Sequence, residues 1–157
     1  MMQSVASGET NAKNFQKPSM GVWLQESTGK FFVSLNENDR GKEIGVDALF
    51  NLYASHIPTF FDAEKSLLWL KKQGIKKLPD SFNCIVSQNR LLTSGVNLTI
   101  ADLAWYWWED APPADDNERA WYVLHLDDAP AFESLREEGA LQSYQKRIAR
   151  ISDFIRG

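Results

Sequence analysis

Few residues in this chain have the types and spacing to do chemistry. His125-Leu126-Asp127 sets an imidazole and a carboxylate two residues apart. On a strand the two would face the same side, where such a pair can move a proton or share a metal ion. A plainer use competes: Asp127 or Asp128 caps the helix expected to begin near Ala129 and Pro130. With two histidines and one cysteine in the whole chain, zinc would need carboxylates to complete its ligand set. His56 stands just before Pro58 at the end of an expected helix, where the helix dipole favours it. It has no second ligand near it in sequence. Cys84 falls in 81–87 (SFNCIVS), read as a strand that turns at Gln88-Asn89 into a second strand over 90–93. A buried structural thiol fits it better than a nucleophile, since no base adjoins it. Lys71, Lys72, Lys76 and Lys77 form a basic cluster. The cluster reads as a solvated helix end that complements the dipole, with phosphate contact as the alternative. Gly29-Lys30 is no phosphate loop, because the other glycine and the following Ser or Thr are missing.

The densest stretch is 98–128. It holds four of the six tryptophans (Trp105, Trp107, Trp108 and Trp121) and eight acids against one base, Arg119. Two apolar runs, 103–108 and 120–126, flank a break at 110–118. Pro112 and Pro113 donate no backbone hydrogen bond there, and Asp and Asn favour turns. Aromatic density predicts a β-hairpin with a long solvated loop. A helix starting near Thr99, with Asp102 in its first turn, is the rival reading. As strands, both runs are apolar on both faces, which puts the hairpin at the centre of the sheet. Most of these rings then serve the core. Trp105, Trp108 and Trp121 are the candidate partner anchors, since Trp is enriched at binding hot spots. Asp115, Asp116 and Glu118 are the candidate steering charges.

The elements around this stretch follow from turn signals and periodicity. Residues 1–20 are polar and small and are expected to form a disordered tail, leaving 21–157 as one domain. The run 21–35 reads as a hairpin around Gly29. Apolar residues at 46, 49, 50 and 53 mark one helix face, and Asp62 and Gly74 bracket a second helix. Helices are also expected over 131–138 and 140–156, separated by Gly139. The last carries an apolar stripe at 141, 144, 148, 151 and 155, which closes the core or offers a seam for self-association. The fold class expected is α+β: an antiparallel sheet of hairpins at 21–35, 82–94 and 103–126, covered by two helical pairs.

Charge narrows the functions. The formal net charge is −4 and the pI about 5.2. Residues 1–97 carry 11 bases and 9 acids, a net of +2; 98–128 carry a net of −7; 129–157 carry 5 bases and 4 acids, a net of +1. Acidity is therefore local, and non-specific binding to nucleic acid is disfavoured. No apolar run approaches the length of a membrane span, and no leader-type apolar segment is present, so a cytoplasmic location is the default expectation. A lone cysteine demands no oxidising compartment. No cofactor is indicated. The sequence favours a non-catalytic interaction protein (an adaptor, accessory or inhibitor) for a basic protein partner. The alternatives are a small enzyme using carboxylates with His125 or His56, and weak nucleic-acid binding through Lys71 to Lys77 with Arg90.

Overall fold

The computed structural model describes residues 17–75, 77–92, 98–127, 130–137 and 139–157. Among them run five strands and seven helices. They are β1 (Ser19–Gln25), β2 (Lys30–Ser34), β3 (Lys42–Ile44), α1 (Val46–Leu52), β4 (Ile57–Phe60), α2 (Ala63–Lys72) and β5 (Asn83–Cys84). The remainder are α3 (Ile85–Leu92), α4 (Ile100–Trp108), α5 (Asp116–Asp127), α6 (Pro130–Glu137) and α7 (Leu141–Arg156).

The strands form one sheet in the order β3-β2-β1-β4-β5. β1, β2 and β3 pair antiparallel, as the hairpin reading of 21–35 requires, with Trp23 opposite Phe32. β4 joins β1 in parallel, with Gly21 beside Thr59, and β5 joins β4 in parallel. The sheet is thus mixed, and the expectation of a purely antiparallel sheet is corrected. Its parallel half is built by β4-α2-β5, a strand-helix-strand unit that needs a helical crossover. Gly29 closes the β1-β2 turn at φ 71°, a left-handed conformation that glycine adopts without steric cost.

Alternation along β1 divides the core in two. Met20, Val22 and Leu24 face a layer made by α1, α2 and α7, joined by Phe31, Leu49, Phe60, Leu67, Leu70 and Ile155. Gly21 and Trp23 face the other layer, where α5 lies across the sheet backed by α4. α5 comes so close that a Cβ added to Gly21 would sit 2.6 Å from the Leu124 nitrogen, and one on Gly41 2.6 Å from the Ala120 Cβ. Gly21, Gly41 and Ala120 are the small residues that let the helix settle there.

The helices follow local chemistry. The Asp62 carboxylate accepts the Lys65 amide at 3.2 Å and starts α2, while Gly74 follows its end at φ 85°. On α7, Tyr144, Ile148, Ile151 and Ile155 of the expected stripe pack on the sheet-side core. That stripe is used inside the fold.

Two expected hairpins are overturned. Among the described residues of 82–94 only Asn83 and Cys84 are extended, and Ile85–Leu92 is helix α3. The supposed Gln88-Asn89 turn is helical and buried, with Asn89 Nδ2 donating to the Ile85 carbonyl at 3.1 Å. In 103–126 both runs are helices, α4 and α5. Pro58 lies inside β4 rather than merely stopping a helix. β1 begins at Ser19; residues 1–16 of the expected tail, Asp128 and Ala129 of the expected cap, and Lys76 lie outside the described residues.

Candidate functional site

α4 is fixed at its start by a reciprocal pair. The Asp102 amide donates to Thr99 Oγ1 at 3.1 Å, and the Thr99 amide donates to Asp102 Oδ2 at 3.0 Å. The backbone and hydroxyl of Thr99 hold the Asp102 carboxyl below its usual range, so it stays ionised. Nine residues of helix then sort by a period of 3.6. Ile100, Leu103 and Ala104 are buried, and Trp107 and Trp108 pack against the same core. Trp105 and Tyr106 fall outside that arc and are 63% and 61% exposed. Asp102 lies three residues before Trp105 and shares its helix face, while Glu109 caps the end of α4 in a left-handed conformation at φ 55°. Both acids are exposed. The two aromatics thus stand in water between two carboxylates.

The wall behind α4 is ordered by stacking. His125 lies between Trp108 (ring centroids 4.2 Å apart, 24° between planes) and Trp121 (4.7 Å, 27°). Helical geometry places His125 four residues after Trp121, and the end of α4 brings Trp108 to its other face. The Trp121 indole N–H donates to the Glu37 carbonyl at 2.7 Å. Trp107 Nε1 donates to Asn89 Oδ1 at 3.2 Å, tying α4 to α3. Tyr122 donates to Asp110 Oδ2 at 2.9 Å, and burial together with that carboxylate pushes its pKa up to about 12.

The candidate steering acids are engaged inside the fold. Asp115 Oδ1 accepts the Glu118 amide at 2.8 Å, at the start of α5. Asp116 Oδ1 accepts both the Trp23 indole N–H at 3.0 Å and Arg119 Nη1 at 2.7 Å. Glu118 accepts the Ala114 amide and Arg40 Nη2, each at 2.7 Å. Of the three candidate anchors, Trp105 is free in solvent while Trp108 and Trp121 brace His125. Sequence reading missed Tyr106, Asp102 and Glu109 as site residues; counting the 3.6 period from Ile100 places Asp102 and Tyr106 on the outer face, while Glu109 follows as the cap of the helix.

The candidate catalytic groups do not converge. His125 is a stacked ring on a helix, and Asp127 ends α5, so the strand-face pairing does not form. His56 Nδ1 lies 2.9 Å from the neighbouring Ser55 hydroxyl, and partial burial lowers its pKa. Cys84 is buried; burial pushes its thiol up against the opposing pull of hydrogen bonds from Ser87 and Ala63. Lys71 and Lys72 end α2, as the dipole argument expects. Among the described residues no group of three or more His, Cys, Asp and Glu side chains is placed to hold a metal, and no helix is long and apolar enough to cross a membrane.

A separate cleft of about 530 Å³ opens beyond the C-terminal ends of β1 and β4. Trp23 and Phe61 line it with centroids 5.5 Å apart, and Arg119 sits 5.8 Å from the Trp23 ring. Within it Asp116 accepts from the Trp23 indole and from Arg119, and Lys65 pairs with Glu26 at 3.6 Å. Comparison with protein-family models, curated proteins and solved structures finds no match for this chain.

Proposed function

We propose that this chain is a non-catalytic interaction protein whose α4 docks a basic protein partner. The observation that carries the reading is the solvent exposure of Trp105 and Tyr106, side by side between Asp102 and Glu109. Large rings left in water cost a protein solubility, and burying each against a partner is worth roughly 2–3 kcal/mol. Trp and Tyr carry that energy with little rotamer entropy to lose, which suits them to anchor an interface. The surrounding acids add selection by charge. Asp102 and Glu109, both exposed on α4 and its cap, favour a cationic surface there and disfavour an acidic one. The His125 stack and the Trp121 bond to Glu37 support the role by keeping the wall behind α4 rigid.

The test is affinity capture from the native source with nuclease present, comparing the full chain with Trp105→Ala/Tyr106→Ala. A protein held in stoichiometric amount by the native chain, lost from the double variant and released by raised salt, is the expected result. Equal recovery on both chains sinks the α4 reading.

A further inference from the structure

A second cleft, of about 470 Å³, lies where α2, α3 and α7 meet, on the side of the sheet away from α4. It adjoins the Trp23 cleft, since Asp62 and Lys65 border both. Four cations from three elements line it: Lys65 from α2, Arg90 from α3, and Arg147 and Arg150 from α7. Arg147, Arg150, Ile151 and Phe154 are spaced i, i+3, i+4, i+7, so they form one face of α7. Among the described residues neither Arg147 nor Arg150 has an ion pair. Two acids, Asp62 and Glu64, border the same cleft. One Asp62 oxygen is already committed to capping α2. Lys65 also pairs with Glu26 at 3.6 Å, both side chains more than half exposed, so the positive charge offered to a ligand is centred on Arg147 and Arg150.

We propose that this cleft binds a small phosphomonoester bearing an apolar group. Three features favour that ligand. Two guanidinium groups on one face of α7, Arg147 and Arg150, match a phosphomonoester, which carries about −1.5 to −2 at neutral pH, better than a single carboxylate. Guanidinium groups present paired N–H donors that fit phosphate oxygens. Beside the cations, Val86, Ile151 and the 55% exposed ring of Phe154 supply an apolar wall. The position also suits a ligand, because the cleft lies beyond the carboxyl ends of the parallel strands β4 and β5, where open sheets with parallel strands bind theirs. The volume falls within the range of small-molecule sites. Cys84 borders the cleft as a buried thiol, receiving the Ser87 hydroxyl at 3.3 Å and the Ala63 amide at 3.4 Å. The cleft is a binding site, with no covalent step assigned to that thiol.

The experiment is calorimetric titration of the full chain with phenyl phosphate at low salt. Inorganic phosphate, benzoate and a phosphotyrosine peptide serve as comparison probes. Saturable one-to-one binding of phenyl phosphate is expected, at least tenfold tighter than benzoate. Arg147→Gln/Arg150→Gln should weaken it at least tenfold with the unfolding temperature unchanged. If that variant unfolds, Lys65→Gln carries the test and should weaken binding about threefold. Phe154→Ala should weaken phenyl phosphate and leave inorganic phosphate as before. Absence of saturable binding, benzoate binding as tightly, or indifference to the arginine and lysine variants overturns the proposal. A phosphotyrosine peptide binding more than tenfold tighter than phenyl phosphate overturns the small-molecule ligand and makes the cleft a peptide site.

Discussion

α4 and α5 come from one aromatic, acidic stretch and put the same residue types to opposite uses. α5 turns its chemistry inward. Ala120, Tyr122, Val123, Leu124 and Leu126 are buried, and the acids of its first turns hold Trp23, Arg119, Arg40 and the Ala114 amide. α4 buries one face and leaves two rings and two carboxylates outside. The difference lies in position: α5 rests on the sheet, while α4 rests on α5 and has no layer beyond it among the described residues. Composition alone therefore does not say whether a tryptophan serves stability or recognition; the number of layers above it does.

Substitutions should separate the two helices by stability. Gly21→Ala strikes the seat of α5 and should cost about 3 kcal/mol, since a methyl there meets backbone that cannot yield. Denaturant unfolding would show it; a loss below about 1 kcal/mol would mean that α5 does not lie as close as described. Asp116→Ala strands the Trp23 N–H and Arg119 together and should cost about 2 kcal/mol, with a shift in Trp23 emission. An Asp115, Asp116 and Glu118→Lys triple variant is accordingly expected to destabilise the domain and cannot report on partner steering.

Tyr122 gives a smaller, pH-dependent difference. Its pKa is raised in the folded state, to about 12, so the folded chain holds that proton more tightly than the unfolded chain. The contribution is complete below the ordinary tyrosine value of about 10 and is lost as pH climbs from there through about 12. Tyr122→Phe should make the fall in unfolding midpoint shallower in that window without abolishing it, because burial also raises Tyr53 and Tyr144. An unchanged slope would remove Tyr122 from the account. Trp105→Ala/Tyr106→Ala should change stability least, within about 0.5 kcal/mol, as expected of exposed positions. A loss above about 2 kcal/mol would place those rings in the core and end the contrast with α5.

Much of this fold was legible where local signals were unambiguous. The Gly29 turn gave the first hairpin, Asp62 and Gly74 bracketed α2, and the three-four spacing from residue 141 gave α7. The aromatic stretch misled because ring density is a β signal only when its spacing alternates. Ile100, Leu103, Ala104, Trp107 and Trp108 repeat at three and four, and Thr99 with Asp102 marks the start; that pattern was present in the sequence and outweighed by composition. α5 was harder, since residues on nearly all its sides are buried and its period is faint. α3 hid behind Gln88 and Asn89, polar residues that mimic a turn yet are buried against Tyr144 and Trp107. The parallel partnership of β1 and β4 is non-local and left no local mark. Among the site residues, Trp105 was legible by type, whereas its exposure, and that of Tyr106, depended on layers that only tertiary structure defines.

The link between Trp23 and Asp116 spans 93 residues, and that distance bears on how the protein is made. β1 can find β2 and β4 as soon as residues 19–60 have left the ribosome. The face carrying Gly21, Trp23 and Phe32 has no cover until α5 follows. Throughout that interval the nascent chain holds a half-finished sheet with an apolar surface open to solvent, the condition under which chains aggregate or recruit a chaperone. Synthesis of α5 closes it, so the helix that covers this face of the sheet is also the one for which the N-terminal half must wait.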